Sequence, residues 1–326
     1  MTLKLVQLRL PDGSRAVAAN GALVPGARSV RELAGEAIAA GRTLAEAVAA
    51  AGPGEAVDLA AALAEGRVLP PVDHDDPAHL LLTGTGLTHL GSAEERDRMH
   101  AKLAATETLT DSMKMFQLGL DGGKPAPGET GVAPEWFYKG DGSMLTPPEG
   151  ALVSPAFALD GGDEAEIAAL YLIGPDGTPH RLGFALANEF SDHVTEQANY
   201  LYLAHSKLRP SALGPELRVG DLPDSVRGTS RIVRGGETIW EKSFLSGEAH
   251  MSHSLANLEA HHFKYPLFRR PGDIHVHYLG AAAFSFSQGI GVQPGDRFEI
   301  EADAFDLPLR NPMAAGDAEA VVVKPL

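Results

Sequence analysis

From Trp136 onward, the sequence is a succession of short apolar runs that Gly, Pro and Asp interrupt at regular intervals, with few windows of helical periodicity. The clearest pair is 167–173 and 182–186, which Pro175-Asp-Gly-Thr178 separates, and this spacing predicts a β-hairpin. Further strands are predicted at 229–233, 239–244, 273–279 and 297–302. Because many strands with few crossover helices do not build a doubly wound sheet, the pattern predicts a mostly antiparallel sandwich or rolled barrel.

The first 75 residues have a different texture. They begin with alternating apolar and polar residues before a Pro-Asp-Gly turn, which predicts a strand. Two capping boxes follow, Ser29 to Glu32 and Thr43 to Glu46, and each opens an alanine-rich helical run that ends at a glycine. The prolines of 67–77 favour an extended linker. We therefore predict an α+β, mostly β chain, with a small N-terminal domain of strands and helices at 1–75 and a β-rich domain at 76–326.

The composition excludes several classes of function. With 43 acidic against 27 basic residues the formal charge is -16, so we expect no nucleic acid and no anionic membrane as partner. The absence of cysteine excludes disulfides, thiolate metal ligands and cysteine nucleophiles. Without a signal peptide or a long apolar span, we expect a cytoplasmic location. An anionic substrate would need a local device against the global repulsion, and a bound divalent cation is such a device.

A group of carboxylates gives the strongest indication of chemistry. Glu164 and Glu166 stand two residues apart at the start of the predicted hairpin, so on a strand their side chains point to the same face. Such a pair is tolerable at a solvated strand edge or around a cation. The returning strand ends in Asn188-Glu189, which the turn can bring beside the pair. Because carboxylates and waters form an all-oxygen site suited to Mg²⁺ or Mn²⁺, we predict Glu164, Glu166 and Glu189 as metal ligands.

Basic and imidazole side chains are the remaining candidates. Lys207 follows an apolar run and is either a solvated lysine at a helix end or a cation beside the metal that stabilises an enolate or moves a proton. The pairs His261-His262 and His275-x-His277 lack an acidic general base at metalloprotease spacing, and we interpret them as sheet or surface residues. Should Glu189 not reach the metal, Asp192 is the next candidate.

Six segments together carry a resemblance to a known family. They are Pro134-Glu-Trp-Phe-Tyr-Lys-Gly140, Glu164-Ala-Glu-Ile167, Asn188-Glu-Phe-Ser-Asp-His193, Lys207 with Ala212-Leu-Gly-Pro215, Gln293-Pro-Gly-Asp296 and Leu309-Arg-Asn-Pro312. In this order they resemble the fumarylacetoacetate hydrolase superfamily over roughly residues 78 to 320. The resemblance implies a rolled, mostly β fold, a homodimer, and a Mg²⁺ or Mn²⁺ ion that chelates a 2-oxo acid through its carboxylate and carbonyl oxygens.

The resemblance also implies further site residues, some of which depart from the family pattern. Lys139 in the first segment, and Gly280 and Ser285 near a Gly280-Ala281 that replaces the family's Gly-Thr, are expected to bind substrate. Glu189 stands where the family usually has aspartate. Family hydrolases position a water with a His-x-x-Glu pair, but His89 has no acid three residues later. Glu94 or Glu95 is the candidate substitute, and the lost spacing argues against C–C hydrolysis.

These departures, the N-terminal helices and the segments 111–116 and 122–125 resemble the GguC-like and 2-keto-3-deoxy sugar-acid dehydratase branch. This implies a lyase that dehydrates a 2-keto-3-deoxy-pentonate to 2-oxoglutarate semialdehyde in bacterial pentose catabolism. Lys207 would assist the enolate and His89 would protonate the departing hydroxyl. One alternative is hydrolysis or decarboxylation of an acylpyruvate or other diketo acid at the same metal. Another is a non-catalytic sugar-acid-binding protein.

Overall fold

The computed structural model describes residues 2–90 and 109–326. The helices of these residues are α1 (Val30–Ala39), α2 (Leu44–Ala51), α3 (Leu59–Ala64), α4 (Asp111–Gly122), α5 (His193–Ala198), α6 (Leu203–Lys207) and α7 (Leu255–Phe263). The strands are β1 (Lys4–Arg9), β2 (Arg15–Ala19), β3 (Ala22–Leu23), β4 (Leu80–Gly86), β5 (Glu135–Asp141), β6 (Leu145–Thr146), β7 (Leu152–Ser154), β8 (Ala165–Ile173), β9 (Pro179–Asn188), β10 (Ser211–Leu213), β11 (Leu217–Val219), β12 (Val226–Arg234), β13 (Glu237–Ser246), β14 (Ile274–Tyr278), β15 (Arg297–Ala302) and β16 (Leu309–Ala315).

The strands form two sheets. The larger has eleven strands, with β3-β2-β1-β11-β9-β8-β14-β4-β5 as its main order, and β10 joins it between β9 and β6. The smaller sheet has the order β13-β12-β15-β16-β7. Parallel pairing is confined to β14 with β4, β10 with β6 and β16 with β7 in the described residues. The predicted mostly antiparallel architecture and the hairpin β8–β9 are confirmed.

The hairpin contributes residues to the two largest of the three hydrophobic cores that the described residues form. Along β8, Ile167 and Ala169 pack in one core with Phe298 of the smaller sheet. Ala168 and Leu170 pack in the other core, to which α1 and β1 contribute. Every residue of β8 is buried, which explains why its sequence is a continuous apolar run instead of an alternating one. The strand that begins at the candidate carboxylates is therefore covered on both faces.

The N-terminal segment is joined to this sheet. Strand β1 pairs with β11 in antiparallel register, and residues of β1 and α1 share a core with β8 and β14. Both predicted helix starts are confirmed, since Ser29 caps α1 and Thr43 forms a complete capping box with Glu46. The boundary at residue 75 stays a prediction, and residues on its two sides contribute to one sheet.

Among the helices that have no counterpart in the sequence predictions, α4 and α7 are the longest. Thr110 and Ser254 cap their N-termini with side-chain hydrogen bonds. Both segments contain several good helix formers, such as Met and Leu in α4 and Leu and Ala in α7, and burial of one face adds to the stability of each helix. No helix in the described part of the chain has the length and apolar character needed to cross a membrane.

Three histidines form a buried cluster where α7 packs on β14. Trp136 Nε1 donates to His262 Nδ1 at 3.2 Å, so His262 Nε2 carries the proton that is donated to His275 Nδ1 at 2.9 Å. In the described structure the Nε2 atoms of His275 and His277 have no hydrogen-bond partner. Burial lowers the pKa of His262 to about 4 and that of His275 to about 3. The cluster is therefore neutral near pH 7.

We expect acid to destabilise the protein through this cluster. In the unfolded chain a histidine titrates near pH 6.5, so below that pH the unfolded state binds protons that the folded state does not. Between pH 6.5 and 4.5 the free energy of unfolding should fall, relative to that of His275→Gln, by up to about 1.4 kcal/mol per pH unit. Urea denaturation measures both proteins. Buried carboxyl groups such as Glu166 change the stability with pH in the opposite direction, but they are present in both proteins and their contribution cancels in the comparison. A difference in unfolding free energy between the two proteins that does not vary with pH would contradict the prediction.

Candidate active site

The hairpin register determines where the three glutamates lie. Glu164 immediately precedes β8, Glu166 is its second residue, and Glu189 directly follows β9. The register pairs Ala165 with Asn188, and the Glu189 amide donates to the Glu164 carbonyl at 3.0 Å. One carboxylate oxygen of each glutamate lies within 4.8 Å of the others, and all three residues are buried. The chain thus brings together a carboxylate triad that can hold a metal ion.

The triad is electrostatically unfavourable without a cation. Burial, followed by the charges of Glu189 and Glu164, raises the pKa of Glu166 well above its ordinary value. Burial also raises the pKa of Glu189, and the charge of Glu164 adds to this effect. The Oε1 atoms of Glu166 and Glu189 are buried without a hydrogen-bond partner in the described structure. These free oxygens fit a divalent ion, because Mg²⁺ and Mn²⁺ bind carboxylate oxygen and offset its charge.

Three basic side chains are buried against the triad. Lys207 donates to Glu164 Oε1 at 2.5 Å and lies 3.6 Å from Glu189 Oε2. His193 Nε2 donates to the same Glu164 oxygen at 3.1 Å. Lys139 Nζ lies 3.4 Å from Glu189 Oε1, close enough for an ion pair although not aligned as a hydrogen bond. The three basic side chains that contact the carboxylates therefore belong to three separate elements: Lys207 to α6, His193 to α5 and Lys139 to β5.

These contacts keep two of the basic groups charged. Burial acts to lower the pKa of Lys207, but the carboxylates of Glu164 and Glu189 outweigh it and the pKa is raised above its ordinary value. Burial likewise acts against the charge of His193, whereas hydrogen bonds to Asp160 and Glu164 raise its pKa to about 9. The pKa of Glu164 is lowered despite its burial, because Lys207 and His193 stabilise the carboxylate.

A cavity of about 380 Å³ opens onto the triad. The three glutamates, Lys207 and His193 line it together with His89, and among the described residues its other acidic lining residues are Glu135 and Glu196. Apolar side chains, among them Phe116, Leu203 and Phe284, complete the wall. The cavity has the size of a small-molecule site and is mostly apolar, with polar groups at a few positions.

Glu135 was not among the sequence predictions, although it lies in the segment Pro134–Gly140 that carries the family resemblance. Burial raises its pKa to about 7, against the opposing hydrogen bond that the Tyr200 hydroxyl donates to its Oε1 at 2.9 Å. A Cβ at position 86 would lie 1.7 Å from Glu135 Oε2, so this carboxyl group depends on Gly86 for its space. His193 was also missed, and no spacing in the sequence points to either residue.

The other predicted residues lie in different places. His89 lines the cavity, but its Nε2 bonds Ser246 Oγ at 2.9 Å and burial lowers its pKa to about 4. Lys139, Gly280 and Ser285 are not among the residues that line the cavity in the described structure. The Gly280 amide donates to Glu166 Oε2 at 2.8 Å, and the buried Ser285 hydroxyl donates to Asp163. Glu94 lies outside the described residues.

Asp192, the reserve candidate for the third ligand, is engaged elsewhere. Its carboxylate caps α5 through the Thr195 amide and accepts from the Leu159 amide. It also forms an ion pair with Arg209 at 3.0 Å. Glu189 is therefore the acid that the hairpin brings to the other two glutamates.

Comparisons with known proteins complete this picture. No family model matches the chain, and no curated protein matches its sequence. A hexagonal crystal form of 2-keto-3-deoxyarabinonate dehydratase matches with a TM-score of 0.70 and 18% identity, covering 97% of this chain and 100% of that one. The chain has this fold. The 2-hydroxyhepta-2,4-diene-1,7-dioate isomerase from Mycobacterium marinum matches with a TM-score of 0.57 and 15% identity over 96% of this chain and 99% of that one. The rolled, mostly β fold that the family resemblance implied is confirmed.

We expect Mg²⁺ or Mn²⁺ to raise the unfolding temperature and Glu166→Gln to abolish this shift. At 100 times the dissociation constant, bound metal should add about 2.7 kcal/mol of stability. Metal-free Glu166→Gln should unfold at a higher temperature than the metal-free wild type, because a neutral amide removes the repulsion among buried carboxylates. Differential scanning fluorimetry with metal and with chelator measures both effects. Glu196→Gln, which removes a charge from the same cavity, should keep the shift, and a full shift in Glu166→Gln would exclude this residue as a ligand.

Proposed function

We propose that the chain is a metal-dependent dehydratase that converts a 2-keto-3-deoxy-pentonate to 2-oxoglutarate semialdehyde. The observation that carries this proposal is the arrangement of one cavity. A carboxylate triad that can hold a metal and the Lys207 ammonium line it together with Glu135, a buried acid with a pKa of about 7. A site for a 2-oxo acid and a group that can deliver a proton thus open into the same space.

The comparisons support this proposal through the fold. 2-keto-3-deoxy-D-arabinonate dehydratase complexed with magnesium and 2,5-dioxopentanoate matches with a TM-score of 0.65 and 17% identity, covering 96% of this chain and 99% of that one. The compound 2,5-dioxopentanoate is 2-oxoglutarate semialdehyde under its systematic name. A fold hosts many activities, so the residues of the cavity carry the argument for this chain.

Glu164, Glu166 and Glu189 would hold the metal, which we propose to be Mg²⁺ or Mn²⁺. When bound, this ion supplies Lewis-acid polarisation of the carboxylate and 2-oxo oxygens of the substrate. The reaction first removes a proton from C3 and the hydroxyl group from C4, which leave as water and give a C3–C4 double bond. C5 then loses one C–H proton and the 5-hydroxyl group loses its proton, while C3 and C4 each take up one proton, which gives the aldehyde of 2-oxoglutarate semialdehyde. Lys207 is held in its charged form, so we assign it to stabilising the enolate oxygen and not to removing the C3 proton.

Glu135 is better suited than His89 to protonate the departing hydroxyl. With a pKa of about 7 it is protonated in a large fraction of molecules near neutral pH and returns readily to the charged form. His89 has a pKa of about 4 and therefore has no acidic proton to give at that pH. We accordingly assign the general-acid role to Glu135. We assign His89, with its bond to Ser246, to shaping the cavity wall.

The three residues expected to bind substrate are reassigned as supports of the triad. Lys139 is fully buried and lies beside Glu189. Gly280 holds one oxygen of Glu166 with its amide. Ser285, also fully buried, bonds Asp163, the residue directly before Glu164. We propose that all three act on the position of the ligands instead of touching the substrate.

The pH dependence of turnover tests the role of Glu135. Because the acid must be protonated, kcat/KM should fall above about pH 7 in the wild type. Glu135→Gln should lower kcat by roughly 10²- to 10⁴-fold and remove this ionisation. Tyr200→Phe removes a hydrogen bond that stabilises the carboxylate, so the alkaline limb should move to higher pH while most activity remains. Unaltered pH profiles in both variants would rule out Glu135 as the acid.

Product analysis decides between the candidate reactions. Purified protein with Mg²⁺ and a 2-keto-3-deoxy-pentonate should form 2-oxoglutarate semialdehyde, which nuclear magnetic resonance of the mixture detects. Pyruvate or carbon dioxide from a diketo acid would favour the hydrolase or decarboxylase alternative. Binding of the sugar acid without turnover would favour the non-catalytic alternative.

We further propose that the protein is a cytoplasmic homodimer that acts in pentose catabolism. A surface groove of about 410 Å³ supports the dimer. Trp136, Tyr265, Leu267 and Phe268 line this groove, and the first three are well exposed. Exposed apolar patches of this kind favour association. Sedimentation at micromolar concentration checks this, and a monomer would contradict it.

A further inference from the structure

His193 is the residue of the cavity whose contacts the proposed reaction leaves unexplained. It is the first residue of α5 and is buried. Its Nε2 lies 3.1 Å from Glu164 Oε1, and its Nδ1 lies 3.3 Å from Asp160 Oδ2. A carboxylate only accepts hydrogen bonds, so each ring nitrogen presents an N–H to its partner. The imidazole thus bridges two acids in a fixed order.

The ring has little freedom to leave this position. It stacks on Phe284 with ring centroids 5.4 Å apart and an interplanar angle of 20°. It stacks on Phe286 at 5.1 Å and 17°. The hydrogen bond from Nδ1 to Asp160 determines that Nε2, and not Nδ1, faces Glu164. Contacts of this kind determine the orientation of a metal ligand when they act through its second oxygen.

Glu164 and Glu166 share one pattern, in which donors of the chain occupy one carboxylate oxygen. In Glu164, Oε1 accepts from both His193 and Lys207. In Glu166, Oε2 accepts from the Gly280 amide while Oε1 has no partner in the described structure. A carboxylate with one oxygen saturated by donors of the chain presents its other oxygen to an ion. In these two residues the chain therefore selects which oxygen remains for the metal.

Lys207 alone does not fix Glu164 in this way. Its Nζ is shared among Glu164, the Ser191 hydroxyl at 3.3 Å and Glu189 at 3.6 Å. Its long side chain has several rotatable bonds, and the proposed reaction requires its charge near the substrate. His193 makes a single directed bond to Glu164 from a rigid ring. Lys207 thus supplies charge to Glu164 Oε1 and its surroundings, whereas His193 determines the orientation of the carboxylate.

We propose that His193 is a positioning residue that, with Asp160 behind it, holds Glu164 Oε1 so that Oε2 is presented to the metal. This inference rests on the metal site of the proposed function. Loss of the Nε2 donor would free the carboxylate of Glu164 to rotate. Metal affinity would then fall, although none of the three ligands had been changed.

Two substitutions at position 193 separate the hydrogen bond from the aromatic contact. The Gln amide nitrogen falls near the place of Nε2 and can donate to Glu164, whereas the shorter Asn amide falls near Nδ1 and reaches only Asp160. Both remove the stacked ring to the same extent. Isothermal titration with Mg²⁺ and with Mn²⁺, without substrate, should show His193→Asn binding about 10- to 100-fold more weakly than wild type. His193→Gln should recover most of this loss.

Equal losses in the two variants would overturn the proposal, since the ring and not the donor would then matter. Unchanged affinity in both, or no metal binding by the wild type, would overturn it as well. Asp160→Asn is the second test if the His193 variants do not fold. It should weaken metal binding by less than His193→Asn, and wild-type affinity would contradict the proposal. Failure of the dehydratase assay with metal binding intact would count against the proposed reaction and not against the role of His193.

Discussion

Repulsion among three buried carboxylates is the constraint on which the site depends. Register places Glu164 beside Glu189 at the open end of the β8–β9 hairpin, and Glu166 follows on the same face. Because both faces of β8 are covered by apolar cores, these charges are buried and face only the cavity. A buried carboxylate must be protonated, paired with a cationic side chain or bound to a metal.

Pairing is supplied from elsewhere in the chain. Lys207 of α6, His193 of α5 and Lys139 of β5 converge on the carboxylates from different directions. Their charges compensate Glu164 most completely, so its pKa is lowered, whereas the pKa values of Glu166 and Glu189 remain raised. The chain thus stabilises the charged form of Glu164, whereas the charges of Glu166 and Glu189 are compensated less completely.

Burial has opposite consequences for the two acid–base candidates of the cavity. It favours the neutral form of each, which raises the pKa of Glu135 to about 7 and lowers that of His89 to about 4. A histidine ordinarily titrates near neutral pH, but the pKa of His89 lies well below that range. The pKa of the Glu135 carboxyl group lies within it instead. The family resemblance pointed to His89 through the His-x-x-Glu pair, and the burial of each side chain favours Glu135 instead.

The sequence by itself determined the strands, the hairpin and the mostly antiparallel class, because alternation, apolar runs and turn residues act over short distances. It also pointed to Glu164, Glu166 and Glu189, whose convergence follows from a single hairpin. Tertiary structure alone decided what surrounds them. Glu135 and His193 reach the cavity through packing of elements that are far apart in sequence. Burial and hydrogen-bond partners determine the protonation of these two residues, and the spacing of residues along the sequence predicts neither of them.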